Sequence, residues 1–130
     1  MSFEPYCRLY FQANVELSEL LSKCAELLNG SLNGRTVQNA LLYLTAKEND
    51  DFDEGRFRLE KRFVFARYTA ELEGLDLDVD EDKFVQVVCD LVSSLRDYGI
   101  QVAASCEFED RVIEKTGWNW SESSPDHPDV

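Results

Sequence analysis

Three carboxylates stand close together where a buried strand is expected to end: Glu107, Glu109 and Asp110. Paired carboxylates can act as acid and base in hydrolysis when an apolar pocket raises the pKa of one of them. Glu107 and Glu109 would share one strand face near water, and the sequence offers no apolar pocket beside them. The pattern therefore favours a solvated strand end or an acidic recognition site over a catalytic pair.

Two further acidic stretches have a composition that cations can bind. The segment Asp76 to Asp80 starts like a calcium loop, which needs glycine at its sixth position and glutamate at its twelfth. Glu81 and Val87 stand at those positions, so we interpret the acids as helix-capping residues. The acidic run at residues 50–54 is interpreted as a solvated loop, because no residue beside it would impose a binding geometry. We therefore expect no metal site.

Nucleophilic catalysis and nucleotide binding lack their usual residues. The single histidine, His127, lies in a polar tail, whereas a Ser-His-Asp or Cys-His site needs a histidine docked in a pocket. The sequence contains no glycine-rich phosphate-binding motif. We expect no cofactor and no catalytic residue, which makes an enzyme the least favoured class.

Two tryptophans, Trp118 and Trp120, flank Asn119 near the end of the chain. Tryptophan is favoured at the centres of protein interfaces. Alternatively, Trp118 pins the end of the domain to the sheet. Both interpretations are open, and Trp118 is included among the residues predicted to bind a partner.

The net charge restricts the classes of partner. Among 130 residues, 26 are acidic and 13 are basic, which gives a formal net charge of −13 at pH 7. Such a surface repels nucleic acid phosphates and anionic membranes, so neither is expected as a partner. A basic protein is the partner that this charge would attract, although acidity also serves solubility alone.

The cysteines and the first residues indicate a compartment. The chain has four cysteines, at positions 7, 24, 89 and 106, and no two of them form a Cys-x-x-Cys motif. Each lies in an apolar pattern, so we expect buried thiols in a reducing compartment. Residues 1–5 have no basic region and no hydrophobic run, so no signal peptide is expected. No stretch has the length of a membrane span. We predict a cytoplasmic protein.

Hydrophobic periodicity predicts the elements that position these residues. Alternating apolar and polar residues indicate strands at 6–13, 40–48, 63–73 and 100–108. Apolar residues three and four apart indicate helices between Asn14 and Asn29 and between Asp80 and Gly99, with Asn14 and Asp80 as caps. This order predicts an α+β, ferredoxin-like βαββαβ sandwich with an antiparallel sheet and both helices on one face.

The remaining segments are less regular. Residues 32–38 are ambiguous between a loop and one extra short strand near residue 36. Residues 49–55 are expected to form a loop, residues 56–62 to lie against neighbouring acids, and residues 111–118 to form one more short element. Residues 1–118 would then be a single domain, and residues 119–130 an acidic flexible tail.

Two short segments carry a resemblance, Lys47-Glu-Asn-Asp-Asp51 and Cys106-Glu-Phe-Glu-Asp110. They resemble an Arg-Asn-Asp-Asp-like and an Asp-Phe-Glu-Asp-like segment in a group of small, uncharacterised bacterial proteins. The resemblance covers residues 6–118 and implies no known activity. In small size, acidity and lack of catalytic residues, the chain also resembles in type the immunity proteins that neutralise toxins, and this likeness assigns no residues.

The leading hypothesis is a non-enzymatic, acidic protein-binding domain of the immunity type that neutralises a basic toxin or partner. The residues predicted to bind are Glu107, Glu109, Asp110, Asp50, Asp51 and Trp118. The alternative is a small-molecule-sensing regulatory module that acts as a homodimer. An apolar pocket with convergent polar groups would favour that alternative.

Overall fold

The computed structural model describes residues 3–119, which form an α+β fold of six strands and four α-helices. The α+β class is confirmed, while the strands and helices are more numerous than predicted. The strands are β1 (Tyr6–Gln12), β2 (Ser31–Asn33), β3 (Thr36–Gln38), β4 (Leu42–Glu48), β5 (Tyr68–Gly74) and β6 (Gln101–Ser105). The helices are α1 (Leu17–Leu28), α2 (Glu54–Glu60), α3 (Glu81–Asp97) and α4 (Glu109–Thr116). None of the described helices is both long and apolar enough to cross a bilayer.

The strands form one antiparallel sheet in the order β2-β3-β4-β5-β1-β6. β1 is next to the edge strand β6, with β5 on its other side. The segment at residues 32–38, predicted as either a loop or one extra short strand, belongs to a hairpin of two short strands. Its two-residue turn uses Gly34 in the left-handed region, with φ of 64°, which glycine adopts without steric cost.

One face of the sheet packs against α1 and α3. The alternation in β1 buries Cys7, Leu9 and Phe11 on this face, as the period-two pattern predicts. The apolar stripes of both helices join the same core, which confirms the two long helices. The predicted cap of α1 was wrong, because Glu16 rather than Asn14 is the cap residue and its side chain makes no cap hydrogen bond.

The other face of the sheet is partly covered by a small second cluster. Phe63 and Ala66 are buried there against Ala103 of β6, with Phe57 and Trp118 packed around them. Most of this layer comes from the chain between β4 and β5. The sheet is therefore covered on both sides around β6, which agrees with the small side chains of that strand.

The strand predicted at residues 63–73 begins later, at Tyr68. Phe63–Phe65 instead forms a 3₁₀ turn. The side-chain amide of Asn49 donates to the backbone oxygens of Val64 and Ala66, both at 2.8 Å, and so satisfies carbonyls that a strand ladder would otherwise use. The apolar composition of the turn serves the second cluster rather than the sheet.

Helix α2 replaces the predicted loop and basic segment between residues 49 and 62. Asp53 caps it by accepting a hydrogen bond from the backbone of Arg56 at 3.0 Å. Two ion pairs with i,i+4 spacing follow, Arg56–Glu60 at 2.7 Å and Glu54–Arg58 at 3.2 Å. The basic residues do lie against acids, but the acids belong to the same helix.

The last predicted strand also ends earlier than expected, at Ser105 rather than Phe108. Phe108 turns into the core and precedes α4, which occupies most of the short element predicted at 111–118. Phe108 packs edge to face on Phe84, with ring centroids 6.0 Å apart. A buried aromatic therefore anchors the start of α4, and the neighbouring acids belong to a helix N-terminus.

Candidate functional site

The sequence-predicted carboxylates lie at two opposite ends of the sheet. Cys106 to Asp110 follow β6 at the end where Tyr6 of β1 pairs with Glu73. Asp50 and Asp51 follow β4 at the other end, where Glu48 pairs with Tyr68. The stretch of β1 between these ends spans about 17 Å at the usual rise of a strand. The two groups therefore lie at opposite ends of the sheet and do not form one cluster.

The end that carries Glu107 is strongly acidic. It carries eight exposed carboxylates, together with the basic side chains of Lys83 and Arg111. Arg111 is already paired with Glu81 at 3.2 Å and with Asp82 at 2.8 Å. We call this surface the acidic end, and its carboxylates are those of Glu4, Asp76, Asp78, Asp80, Glu81, Asp82, Glu107 and Asp110.

Several elements bring the acidic end together. Glu4 precedes β1, and the loop at residues 75–79 follows β5, which pairs with β1. Asp80 caps α3 by accepting from the backbone of Lys83 at 2.9 Å. Acids at the first turns of α3 and α4 interact favourably with the helix dipoles. The structure thus brings together acids from separate segments of the sequence, whose proximity periodicity did not predict.

Leu77 lies at the acidic end, in the loop after β5, and is strongly exposed. Its side chain is 83% exposed, and it lies between Asp76 and Asp78 in the loop after β5. The loop is shaped by a hydrogen bond from the backbone of Asp78 to the carboxylate of Asp76, at 2.8 Å. An exposed leucine between two acids can supply an apolar contact beside charged groups, and protein interfaces combine apolar contacts with a polar rim.

Glu109 has a structural position, unlike its neighbours Glu107 and Asp110. It is 8% exposed, and its carboxylate accepts from the backbone of Cys106 at 3.2 Å and from the amide of Asn119 at 3.3 Å. Glu107 and Asp110 are exposed. Of the three predicted carboxylates, only these two present their charge to solvent.

Trp118 is half-buried on the second sheet face. The Arg96 guanidinium lies over its indole, 3.5 Å from the ring centroid, and Phe63 lies beside it with centroids 6.4 Å apart. The same segment continues to Asn119, which is 2% exposed although it was predicted to begin the tail. This position supports the interpretation of Trp118 as a pin. Residues 120–130, including Trp120 and His127, lie outside the described residues, so the predicted tail stays a prediction.

The backbone groups of β6 that point away from β1 form hydrogen bonds with side chains. The oxygen of Val102 accepts from Arg96 at 3.2 Å (Nε) and 2.8 Å (Nη2). Ala104 donates to Asn119 Oδ1 at 2.7 Å and accepts from Asn119 Nδ2 at 2.8 Å, as it would with a neighbouring strand. Burial lowers the pKa of Arg96 to about 10, so it remains a cation at neutral pH.

A separate cleft of about 380 Å³ opens between α2 and the sheet, at the end opposite the acidic end. Gln12 and Gln101, which face each other across β1 and β6, line it together with Phe57, Arg58 and Lys61. The Gln12 amide oxygen accepts from the backbone of Arg67 at 2.9 Å, which fixes the orientation of the amide and hence of its donor nitrogen. Sequence reasoning missed this cleft because α2 was not predicted.

The described residues contain no group of three histidine, cysteine or acidic side chains arranged to hold a metal ion. Their notable surfaces are the acidic end and the cleft beside α2. Comparisons with protein-family models, curated proteins and solved structures found no match to this chain.

Proposed function

We propose that this chain is a non-enzymatic protein-binding domain whose acidic end binds a basic partner protein. The observation that carries the proposal is the grouping of eight exposed carboxylates at one end of the sheet, with the exposed Leu77 between two of them, Asp76 and Asp78. The partner would present basic side chains around a shallow apolar pocket. A toxin neutralised by an immunity-type protein fits this chemistry, because blocking a basic active surface needs charge and shape but no catalysis.

The carboxylates of the acidic end and Leu77 would act on different steps of binding. Exposed carboxylates raise the association rate with a basic partner and make it fall as salt rises. Leu77 would be buried on docking, and loss of a buried anchor mainly raises the dissociation rate. The acids in the first turns of α3 and α4 are held by regular backbone, which limits the conformational entropy that they lose on binding.

We also propose that the core of the domain is ferredoxin-like. The proposal is supported by the order β4-β5-β1-β6 and by the two helix-containing connections, from β1 to β4 through α1 and from β5 to β6 through α3. The β2–β3 hairpin is then an insertion after the first helix, and α2 an insertion between the two middle strands.

We predict that neutralising Asp76 and Asp78 weakens partner binding. A partner would be captured from a lysate on the purified domain at low salt, identified and then measured by surface plasmon resonance. We expect Asp76→Asn with Asp78→Asn to lower affinity about tenfold at low salt, chiefly through the association rate. Leu77→Ser should lower the affinity about tenfold by raising the dissociation rate.

Asp50→Asn with Asp51→Asn provides the matched control. It changes the net charge by the same amount at the opposite end of the sheet, so it should leave the affinity within about twofold. Equal losses in the two double variants would show that total charge matters and not the acidic end. Binding that is indifferent to salt would contradict the proposal.

One observation favours the alternative of a small-molecule-sensing module acting as a homodimer: the cleft beside α2. Amide donors of Gln12 and Gln101 and the cations Arg58 and Lys61 line it around the ring of Phe57. Arg58 is paired with Glu54 at 3.2 Å, which leaves the cleft with a net positive lining in an otherwise acidic protein. A flat carboxylic acid fits this arrangement.

We predict that benzoate, used as a probe at millimolar concentration, shifts the backbone NMR signals of the cleft residues Gln12, Phe57 and Gln101 if the alternative holds. Lys61→Gln should remove the shifts, whereas Lys47→Gln, on β4 outside the cleft, should not. Sedimentation in the presence of benzoate would report the dimer. No shift at 20 mM, a concentration of about 10⁻² M that covers weak binding, would eliminate this class of ligand.

A further inference from the structure

Two cysteines face each other at the end of the β1–β6 ladder. Arg8 pairs with Ser105 and Leu9 with Ala104, so the next position outward opposes Cys7 to Cys106. Residues directly opposite each other in antiparallel strands point to the same face of the sheet. Cys7 belongs to the buried face, and Cys106 packs against the same core. The register therefore places the two thiols side by side.

The hydrogen bonding indicates which kind of pair this is. The N–H and oxygen of Ala104 point away from β1, towards Asn119. Two residues on, the N–H of Cys106 also points away, towards Glu109 at 3.2 Å. Both are therefore non-hydrogen-bonded positions, where opposing Cα atoms lie about 4.5 Å apart. A disulfide needs Cα atoms about 4.4–6.8 Å apart, and the ideal spacing of such a pair falls within this range.

The two thiols differ in access. Cys106 is partly exposed and lines a cavity of about 230 Å³ with Glu4, Tyr6 and Glu107. Cys7 is 0% exposed, and burial, together with the neighbouring Cys106 thiol, raises its pKa well above the ordinary value. A reagent would thus meet Cys106 first, and Cys7 is positioned to react with the product.

We propose that Cys7 and Cys106 form a reversible intramolecular disulfide when a neutral hydroperoxide enters the cavity beside Cys106. The Cys106 thiolate attacks one peroxide oxygen, the O–O bond breaks, and an alcohol (water, if the oxidant is hydrogen peroxide) leaves after protonation, which gives a sulfenic acid. The Cys7 sulfur then attacks the Cys106 sulfur, the S–O bond breaks, and the Cys7 proton leaves with the hydroxide as a second water. Two thiols and one hydroperoxide become one disulfide, one alcohol or water, and one water.

The surroundings give the pair its selectivity. Glu4 and Glu107 at the cavity repel anionic oxidants, so a neutral peroxide is favoured over a charged disulfide such as oxidised glutathione. Cys24 and Cys89 are buried within α1 and α3, and burial raises the pKa of Cys24 to about 12. Neither is expected to be oxidised first. The proposal does not depend on the partner-binding function.

The test is to treat the purified chain with hydrogen peroxide and measure the intact mass, then to map the linkage. We expect a loss of about 2 Da that dithiothreitol reverses, and a tryptic crosslink between the peptides of residues 1–8 and 97–111. The oxidised protein should melt about 5–10 °C higher, since the bridge closes a loop of about 100 residues.

Cys106→Ser should abolish the mass loss, and Cys89→Ala should retain it. Because Cys106 is partly exposed, its serine variant should fold, which a far-UV spectrum and a melting curve would verify. A crosslink from Cys7 to Cys89, a dimer linked between chains, or sulfinic acid at Cys106 with Cys7 still reduced would each overturn the proposal.

Discussion

Replacing Asn119 by alanine is expected to lower the free energy of unfolding by about 3 kcal/mol, because buried polar groups then lose their partners. The Asn119 side chain is hydrogen-bonded to both backbone groups of Ala104 and to the carboxylate of Glu109. Because Asn119 is only 2% exposed, water has little access to replace these hydrogen bonds. Urea unfolding followed by tryptophan fluorescence measures the change.

Two variants control this result. Asn14→Ala, at an exposed residue of the same type, should change stability by less than about 0.5 kcal/mol. Asn119→Asp keeps the shape but places a carboxylate beside the oxygen of Ala104 and beside Glu109. The stability lost in Asn119→Asp should therefore be largest at neutral pH. It should become smaller in acid, where the new carboxyl group is protonated. A loss below 1 kcal/mol in Asn119→Ala, about the value of one hydrogen bond, would show that the contacts contribute little.

Replacing Arg96 by alanine is expected to cost about 3 kcal/mol, because charge-assisted hydrogen bonds and a cation–π contact disappear together. The guanidinium donates to the oxygens of Val102, Thr116 and Trp118 at 2.8–3.2 Å and covers the Trp118 ring. Arg96→Lys should recover little, since an ammonium cannot span these acceptors. Chemical unfolding measures each loss.

The matched control is Arg58→Ala, which removes an exposed ion pair and should cost less than about 0.5 kcal/mol. A base whose pKa is lowered on folding loses its proton more easily in the folded state. For Arg96 this occurs near pH 10, so its charge, and the cost of Arg96→Ala, should be constant between about pH 6 and pH 8. A cost that changed across this range would contradict the assignment.

Arg96 and Asn119 hold the same segment, residues 116–119, against β6. Their double variant should therefore lose less stability than the two single losses added together, with a coupling of about 1 kcal/mol. Strict additivity would show that the two side chains stabilise β6 independently. This double-mutant cycle therefore shows whether Arg96 and Asn119 hold residues 116–119 on β6 cooperatively or independently.

The long elements follow from sequence periodicity because each has one dominant buried face. β1, α1 and α3 are within a few residues of their predicted bounds for this reason. α2 has no buried apolar residue, so periodicity could not reveal it. Its local signals were nevertheless present, in the Asp53 cap and in the spacing of Glu54 and Arg58.

The site was less predictable because it depends on tertiary neighbours. Glu107 and Glu109 are the same residue type two positions apart, yet one is exposed and the other is buried at the turn into α4. Asn119 looks like a tail residue until its amide is seen against Ala104. The separation of Asp50 from Glu107 by the length of the sheet likewise follows only from strand pairing. Sequence alone identified the acids but not which of them share a surface.

The outer edge of β6 is hydrogen-bonded by side chains, and this has a consequence for folding during synthesis. Until residue 119 has left the ribosome and packed, the backbone groups of Ala104 are unpaired, and the strand can add to another nascent copy. Aggregation during synthesis would then be set by the last turn of the domain rather than by its core. Chains cut after residue 117 should grow into β-rich assemblies from this strand, whereas chains that retain Asn119 should not.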